Sequence, residues 1–147
     1  IDLMLEILQI ANTKKLSVFL AANKNSLSSW EETRDAILKI YPDLQINGKN
    51  IVNREPTTID CELVFCNFGA PYQETFLNSQ KNGKIRLAMG VGGSFDYLTG
   101  KTPRAPQFLR QMGLEWLWRL TLQPKRWKRI LNAIIIFPIK VILCKEK

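Results

Sequence analysis

The chain has 147 residues, of which 46% are hydrophobic and 23% are charged, and this composition excludes a wholly disordered tail or a low-complexity linker. Histidine is absent, which excludes an imidazole base or a histidine-bound metal within these residues, and the three cysteines form no Cys-x-x-Cys pair, which fits a reduced cytosolic compartment. The net charge of +8 is uneven: residues 1–100 hold 10 Lys+Arg against 11 Asp+Glu, whereas residues 101–147 hold 11 against 2. The basic third predicts a polyanionic partner, either nucleic acid or an anionic membrane surface.

The chain opens with a pattern that predicts a helix followed by a buried strand. Apolar residues recur at helical spacing in residues 2–11, and residues 16–22 form a short apolar run rich in strand formers. A second helix follows a polar turn. Either Ser28 with Glu31 or Ser29 with Glu32 matches the capping box that opens such a helix, and Pro42 ends it.

Three further runs predict strands, at residues 44–46 (closed by Asn47-Gly48), 62–67 and 84–91. A loop at residues 69–74 leads into a helix between the last two runs. Strands that alternate with helices favour an α/β fold with a mainly parallel sheet, which we expect to occupy residues 1–100.

Residues 101–147 predict a basic helical appendage, because prolines and glycines separate short helical pieces there. Residues 130–144 are almost wholly apolar, a run shorter than the roughly 20 residues that span a bilayer. Two interpretations stay open: a core helix packed against the sheet, or an interfacial membrane segment.

Two loops follow predicted strands, where parallel sheets bind ligands. In residues 67–74, Gln73 offers an amide donor and acceptor at a helix start. In residues 90–96, glycines let the backbone approach a ligand, and Asp96 offers a carboxylate acceptor. The alternative is helix capping by Gln73, Glu74 and Asp96.

Longer motifs identify a family. Residues 90–106 read Gly-Val-Gly-Gly-Ser-Phe-Asp-Tyr-Leu-Thr-Gly-Lys-Thr-Pro-Arg-Ala-Pro. Residues 111–120 read Gln-Met-Gly-Leu-Glu-Trp-Leu-Trp-Arg-Leu, and residues 123–126 read Gln-Pro-Lys-Arg. Together with Gly-Ala-Pro-Tyr-Gln-Glu at 69–74, these motifs resemble the WecG/TagA/CpsF glycosyltransferases, family 26.

The resemblance implies a Rossmann-like open sheet and transfer of an N-acetylhexosamine, of the N-acetylmannosamine type, from a UDP-sugar to a polyprenyl-diphosphate-linked sugar. Such reactions build teichoic acids or other cell-surface polysaccharides. The loops of this chain that match the family's donor-binding loops imply the following donor-binding residues: Gly69, Pro71, Gln73, Gly92, Gly93 and Asp96. It implies no cofactor, and no residue pattern here requires a metal.

The resemblance also implies an appendage that contacts the membrane and the acceptor. Arg119 and Arg126 stand in the appendage motifs, and Arg129 is three residues after Arg126 and so shares its helix face. We name Arg119, Arg126 and Arg129 the acceptor-side arginine group. Guanidinium groups suit a lipid diphosphate. We therefore expect a peripheral protein at the cytoplasmic face of the membrane, and family members often self-associate into homo-oligomers.

The chain departs from the family pattern in three places. The family's catalytic aspartate segment is expected before Ile1, so the chain is expected to be a C-terminal portion that is inactive alone. Asn23-Lys24 replaces the family's Gly-Gly turn, and the segment between Gly48 and Cys61 is shorter, which puts donor contacts there in doubt. The alternatives are a homologue without turnover or a non-catalytic basic module for membrane or nucleic acid; the apolar run disfavours nucleic acid.

Overall fold

The computed structural model describes residues 1–52, 57–80, 84–122, 124, 127 and 131–143. The chain divides into two compact units, Ile1–Pro103 and Arg104–Lys147, and each is described by itself.

The first unit contains a four-stranded parallel sheet. Its strands are β1 (Val18–Asn23), β2 (Ile46–Ile51), β3 (Leu63–Cys66) and β4 (Leu87–Gly90), and their spatial order is β2-β1-β3-β4. Every adjacent pair is parallel. The predicted open α/β sheet is therefore confirmed, and β4 begins three residues later than the predicted run.

Four helices accompany the sheet: α1 (Asp2–Lys14), α2 (Trp30–Leu38), α3 (Tyr72–Ser79) and α4 (Ser94–Leu98). Side chains alternate across a strand, so the sheet buries one apolar cluster on each face. On one face, strand residues pack with α1, α2 and α4 around Met4, Leu8, Leu20, Ile37, Phe65 and Phe95. On the other face, Phe19, Val64 and Cys66 pack with Phe76 and Leu77 of α3.

The capping box at the start of α2 uses the second of the two predicted pairs. The Ser29 hydroxyl accepts from the Glu32 N–H, and the Glu32 carboxylate accepts from the Ser29 N–H at 2.9 Å. The pair of Ser28 with Glu31 is therefore wrong, and Ser28 has other partners.

The prediction that Asn47-Gly48 closes the strand at a turn is wrong, because both residues lie inside β2. Their residue types are depleted in strands, which made the pattern turn-like. The structure supplies the reason for the glycine: a Cβ on Gly48 would lie 2.5 Å from a Trp30 ring carbon and 2.6 Å from the Leu20 carbonyl oxygen.

The second unit is helical wherever it has regular structure in its described residues. Helix α5 (Gln107–Gln111) ends at a turn in which Gly113 has φ +71° and the Leu114 N–H donates to the Leu109 carbonyl. Helix α6 (Glu115–Leu122) follows. A π-helical turn at Asn132–Ile136 then leads into α7 (Phe137–Leu143).

Candidate functional site

The carboxyl edge of the sheet has a topological switch point between β1 and β3. The chain leaves β1 towards β2 on one side and leaves β3 towards β4 on the other, and ligands bind at such points in open α/β sheets. The two loops are joined there, because the Asn23 N–H donates to the Asn67 side-chain oxygen at 2.6 Å. This junction lies where the sequence departs from the family's Gly-Gly turn.

The Asn23 turn is closed by its own hydrogen bonds. Its side-chain oxygen accepts from the Asn25 N–H at 2.9 Å, and its carbonyl oxygen accepts from the Ser26 hydroxyl at 2.7 Å. An asparagine that bonds its own backbone two residues on can replace a glycine turn. The loop after β1 is thus ordered without the glycines.

Gln73 lies against the carboxyl end of β4. A Cβ on Gly90 would be 2.6 Å from the Gln73 amide carbon, so only glycine leaves room for this amide. The Gln73 amide nitrogen donates to Glu74 at 2.8 Å. Its amide oxygen is buried, and no described residue donates a hydrogen bond to it. A buried acceptor without a donor is costly, and a bound ligand can satisfy it.

The loop before α3 takes its shape from its small residues. Gly69 has φ +77°, and the Ala70–Pro71 peptide bond is cis. Pro71 is the residue before the helix, and no side chain caps that end. Helix capping by Gln73 or Glu74, the alternative from the sequence, is therefore wrong.

The glycine turn after β4 leads directly into α4. Gly92 has φ +53°, with open space where a Cβ would be, and Gly93 is the residue before the helix. Asp96 lies inside the first turn of α4 and is not its cap. Both Gln73 and Asp96 therefore lie at the carboxyl edge of the sheet, as the sequence predicts.

Asp96 is held by the loop that follows β1. The Ser28 hydroxyl donates to Asp96 Oδ1 at 2.8 Å, and it lies 2.7 Å from the Thr99 hydroxyl. Ser28 is completely buried. Sequence reasoning missed this serine as a site residue, because its side chain matched a capping box.

A second contact ties the same loop to the segment after α4. The Lys101 ammonium donates to the Leu27 carbonyl oxygen and to both carboxylate oxygens of Glu32. The hydrogen bond from Lys101, followed by the one from the Ser29 N–H, lowers the pKa of the Glu32 carboxyl from its ordinary 4.5. The loop of residues 23–29 is thus fixed at both ends.

The acceptor-side arginine group falls largely outside the described residues. Arg119 belongs to α6, and nothing is described of its side chain, whereas Arg126 and Arg129 lie outside the described residues altogether. Their role stays a prediction.

The described cysteines, Cys61 and Cys66, are not suited to act as nucleophiles. Burial raises the pKa of the Cys66 thiol to about 12, and burial also raises the pKa of Cys61. Both therefore stay protonated at neutral pH. Within the described ranges, no three His, Cys, Asp or Glu side chains are grouped so that they could hold a metal ion.

The second unit exposes many large apolar side chains. Phe108, Met112, Phe137 and Ile142 each expose 60% or more of their surface. Other exposed side chains there are Trp116, Leu117, Leu122, Trp127, Leu131, Ile135, Ile136, Ile139 and Val141. None of the described helices has the length and apolar character needed to cross a bilayer.

Comparison with known proteins gives a consistent result. The profile of the glycosyl transferase WecG/TagA/CpsF family matches residues 1–147. A Bacillus subtilis (strain 168) relative is 32% identical over 140 residues, covering 89% of this chain and 54% of its own. A Staphylococcus aureus (strain MRSA252) relative is 30% identical over 158 residues, covering all of this chain and 60% of its own. Both are named N-acetylglucosaminyldiphosphoundecaprenol N-acetyl-beta-D-mannosaminyltransferase, and the chain spans a little over half of their lengths.

Proposed function

The chain belongs to the WecG/TagA/CpsF glycosyltransferase family. From this we propose a function for its natural gene product, by which we mean the whole protein that contains this chain. That protein transfers an N-acetylmannosamine-type N-acetylhexosamine from a UDP-sugar to a polyprenyl-diphosphate-linked sugar. The observation that carries the proposal is the family match over all 147 residues, with relatives whose name states that acceptor and that sugar. The product would enter teichoic acid or another cell-surface polysaccharide.

The donor would bind at the carboxyl edge of the sheet. The buried Gln73 amide oxygen, which no described residue satisfies, supports this location, because an N–H or hydroxyl of the donor can supply the missing hydrogen. Asp96 offers a second acceptor, since the Ser28 hydroxyl occupies only its Oδ1. In the glycine turn after β4, Gly92 has open space where a Cβ would be, which leaves room for a ligand. The proposed donor-binding residues are Gly69, Pro71, Gln73, Gly92, Gly93 and Asp96.

The proposed reaction is a single displacement at the anomeric carbon. The acceptor hydroxyl oxygen forms the new bond to that carbon, the bond from the carbon to the UDP oxygen breaks, and UDP leaves with the bonding electron pair. A carboxylate base accepts the acceptor's proton. The family resemblance implies a base N-terminal to Ile1, and we propose no residue of this sequence for that role. Positive charge at the leaving diphosphate stabilises the transition state.

The protein would bind the lipid-linked acceptor at the membrane surface. The exposed apolar side chains of residues 108–142 support peripheral association, because such side chains enter the headgroup region while basic residues attract anionic lipid. The acceptor-side arginine group would bind the lipid diphosphate, since guanidinium matches its paired oxygens. Sedimentation with anionic vesicles tests this, and recovery of the protein in the supernatant would oppose it. A parallel assay with RNA tests the alternative partner.

Calorimetry with UDP tests the donor site. In the natural gene product, Asp96→Ala is expected to weaken UDP binding about tenfold, because one hydrogen bond to a charged group is lost. The matched control is Asp60→Ala. Asp60 is an exposed carboxylate that pairs with Lys84 and precedes β3, hence lies away from the carboxyl edge. Equal affinity of the Asp96 and Asp60 variants would remove Asp96 from the donor site.

A further inference from the structure

The hydroxyl of Ser28 is buried and forms a hydrogen bond with Asp96. Ser28 is completely buried, so its hydroxyl must be satisfied by protein groups. The Ser28 hydroxyl donates its single proton to Asp96 Oδ1, 2.8 Å away. The Thr99 hydroxyl lies 2.7 Å from Ser28 and 3.1 Å from the Phe95 carbonyl oxygen, which can accept its one proton.

The bond from Ser28 to Asp96 joins two segments that are distant in sequence. Ser28 comes from the loop after β1, whereas Asp96 comes from the helix after β4 and is 68 residues away in sequence. The bond thus fixes the carboxylate across two separate loops at the carboxyl edge. The Ser28 bond uses one oxygen of Asp96, Oδ1.

Loop anchoring alone does not account for this serine. The start of α2 is capped by Ser29 and Glu32 without Ser28. The same loop is already tied to the segment after α4 by Lys101, which contacts Leu27 and Glu32. The feature specific to Ser28 is a buried proton directed at one oxygen of Asp96.

We propose that Ser28 is a positioning residue, which holds the Asp96 carboxylate in the orientation in which its second oxygen accepts a hydrogen bond from the donor nucleotide-sugar. This inference rests on the proposed function, because it takes Asp96 as part of the donor site. The affinity for the donor then depends on the Ser28 proton only while the Asp96 carboxylate is present.

A double-mutant cycle in the natural gene product tests this dependence, with UDP affinity measured by calorimetry and KM measured for UDP-N-acetylmannosamine. Ser28→Ala is expected to raise the donor KM and the UDP Kd about tenfold, with smaller changes in kcat and in the acceptor KM. In an Asp96→Ala background the same substitution is expected to add nothing, because the carboxylate that it positions is gone.

Thr99→Val is the matched control, since it removes the other hydroxyl that contacts Ser28 and keeps the side-chain shape. Its donor KM is expected to stay within about twofold of wild type. If Thr99→Val raises the donor KM as much as Ser28→Ala does, the hydroxyls only anchor the loop and the inference is overturned.

The remaining outcomes separate the inference from the proposed function. If Asp96→Ala weakens UDP binding and Ser28→Ala does not, the donor site stands and the positioning role fails. If Asp96→Ala also has no effect, the donor role of Asp96 and the inference both fail. Should Ser28→Ala not fold, Ser28→Cys is near-isosteric with a weaker donor. It is expected to raise the donor KM severalfold, and an unchanged KM would overturn the inference.

Discussion

Replacing Gly48 by alanine tests how tightly β1, β2 and α2 fit together. The new Cβ would lie 2.6 Å from the Leu20 carbonyl oxygen and 2.5 Å from the Trp30 ring. The strands would have to separate by about 0.8 Å for the Leu20 contact to reach the 3.4 Å of an ordinary van der Waals distance. The Trp30 ring cannot retreat freely either, because it packs against the buried core.

The expected change in the free energy of unfolding of Gly48→Ala follows from two opposing effects. Overpacking of this kind costs about 3 kcal/mol, whereas alanine in a strand recovers about 0.7 kcal/mol by restricting the unfolded chain. The free energy of unfolding of Gly48→Ala should therefore fall by about 2 kcal/mol. With a urea dependence of about 2 kcal/mol per molar, the midpoint should fall by about 1 M.

Gly90→Ala is the matched comparison, because its Cβ would meet the far end of the flexible Gln73 side chain instead of backbone. Its urea midpoint should fall by less than about half as much, since the amide can swing away. Equal midpoints for Gly48→Ala and wild type would refute the reasoning, because the packing of Trp30 over β2 would then not be as described.

Three further predictions concern the capping box, a carboxyl pKa and the appendage. Ser29→Ala should lower the free energy of unfolding by about 1 kcal/mol in urea denaturation, because an N–H of α2 loses its acceptor; an unchanged midpoint would contradict this. Since the pKa of Glu32 is lowered in the folded protein, its stabilising contribution exists above 4.5 and is lost as the pH falls below it. Glu32→Gln, which keeps the capping geometry, should therefore lose less stability than wild type between neutral pH and about pH 3.5, and parallel curves would oppose the assignment. Changing the acceptor-side arginine group to lysine should abolish turnover in a transfer assay while vesicle sedimentation persists; normal turnover would make the group a general membrane-attracting surface.

The order of the main elements was predictable from the sequence because it depends on local patterns. The apolar runs at residues 16–22 and 62–67 became β1 and β3, and the pair Ser29 with Glu32 became the α2 capping box. The extent of β2 was not predictable in this way. Gly48 weakens a strand locally, and its place there depends on Trp30, which approaches it only in the folded chain.

The site shows the same division between local and tertiary information. Motifs predicted that Gln73 and Asp96 follow the carboxyl ends of strands. They could not predict that Gln73 lies over Gly90, because this depends on how α3 packs beside β4. The partner of Asp96 was also missed, since Ser28 is 68 residues away and no local pattern links the two side chains.

A transfer assay on the natural gene product tests whether it transfers N-acetylmannosamine to a polyprenyl-diphosphate-linked sugar. The protein is incubated with UDP-N-acetylmannosamine and an N-acetylglucosamine-diphosphoryl-polyprenol, and the lipid product is analysed by mass spectrometry. The expected product is a disaccharide-diphosphoryl lipid, with UDP released only when the lipid acceptor is present. UDP release that does not depend on the acceptor, or a lipid acceptor that gains no N-acetylhexosamine, would contradict the proposed function.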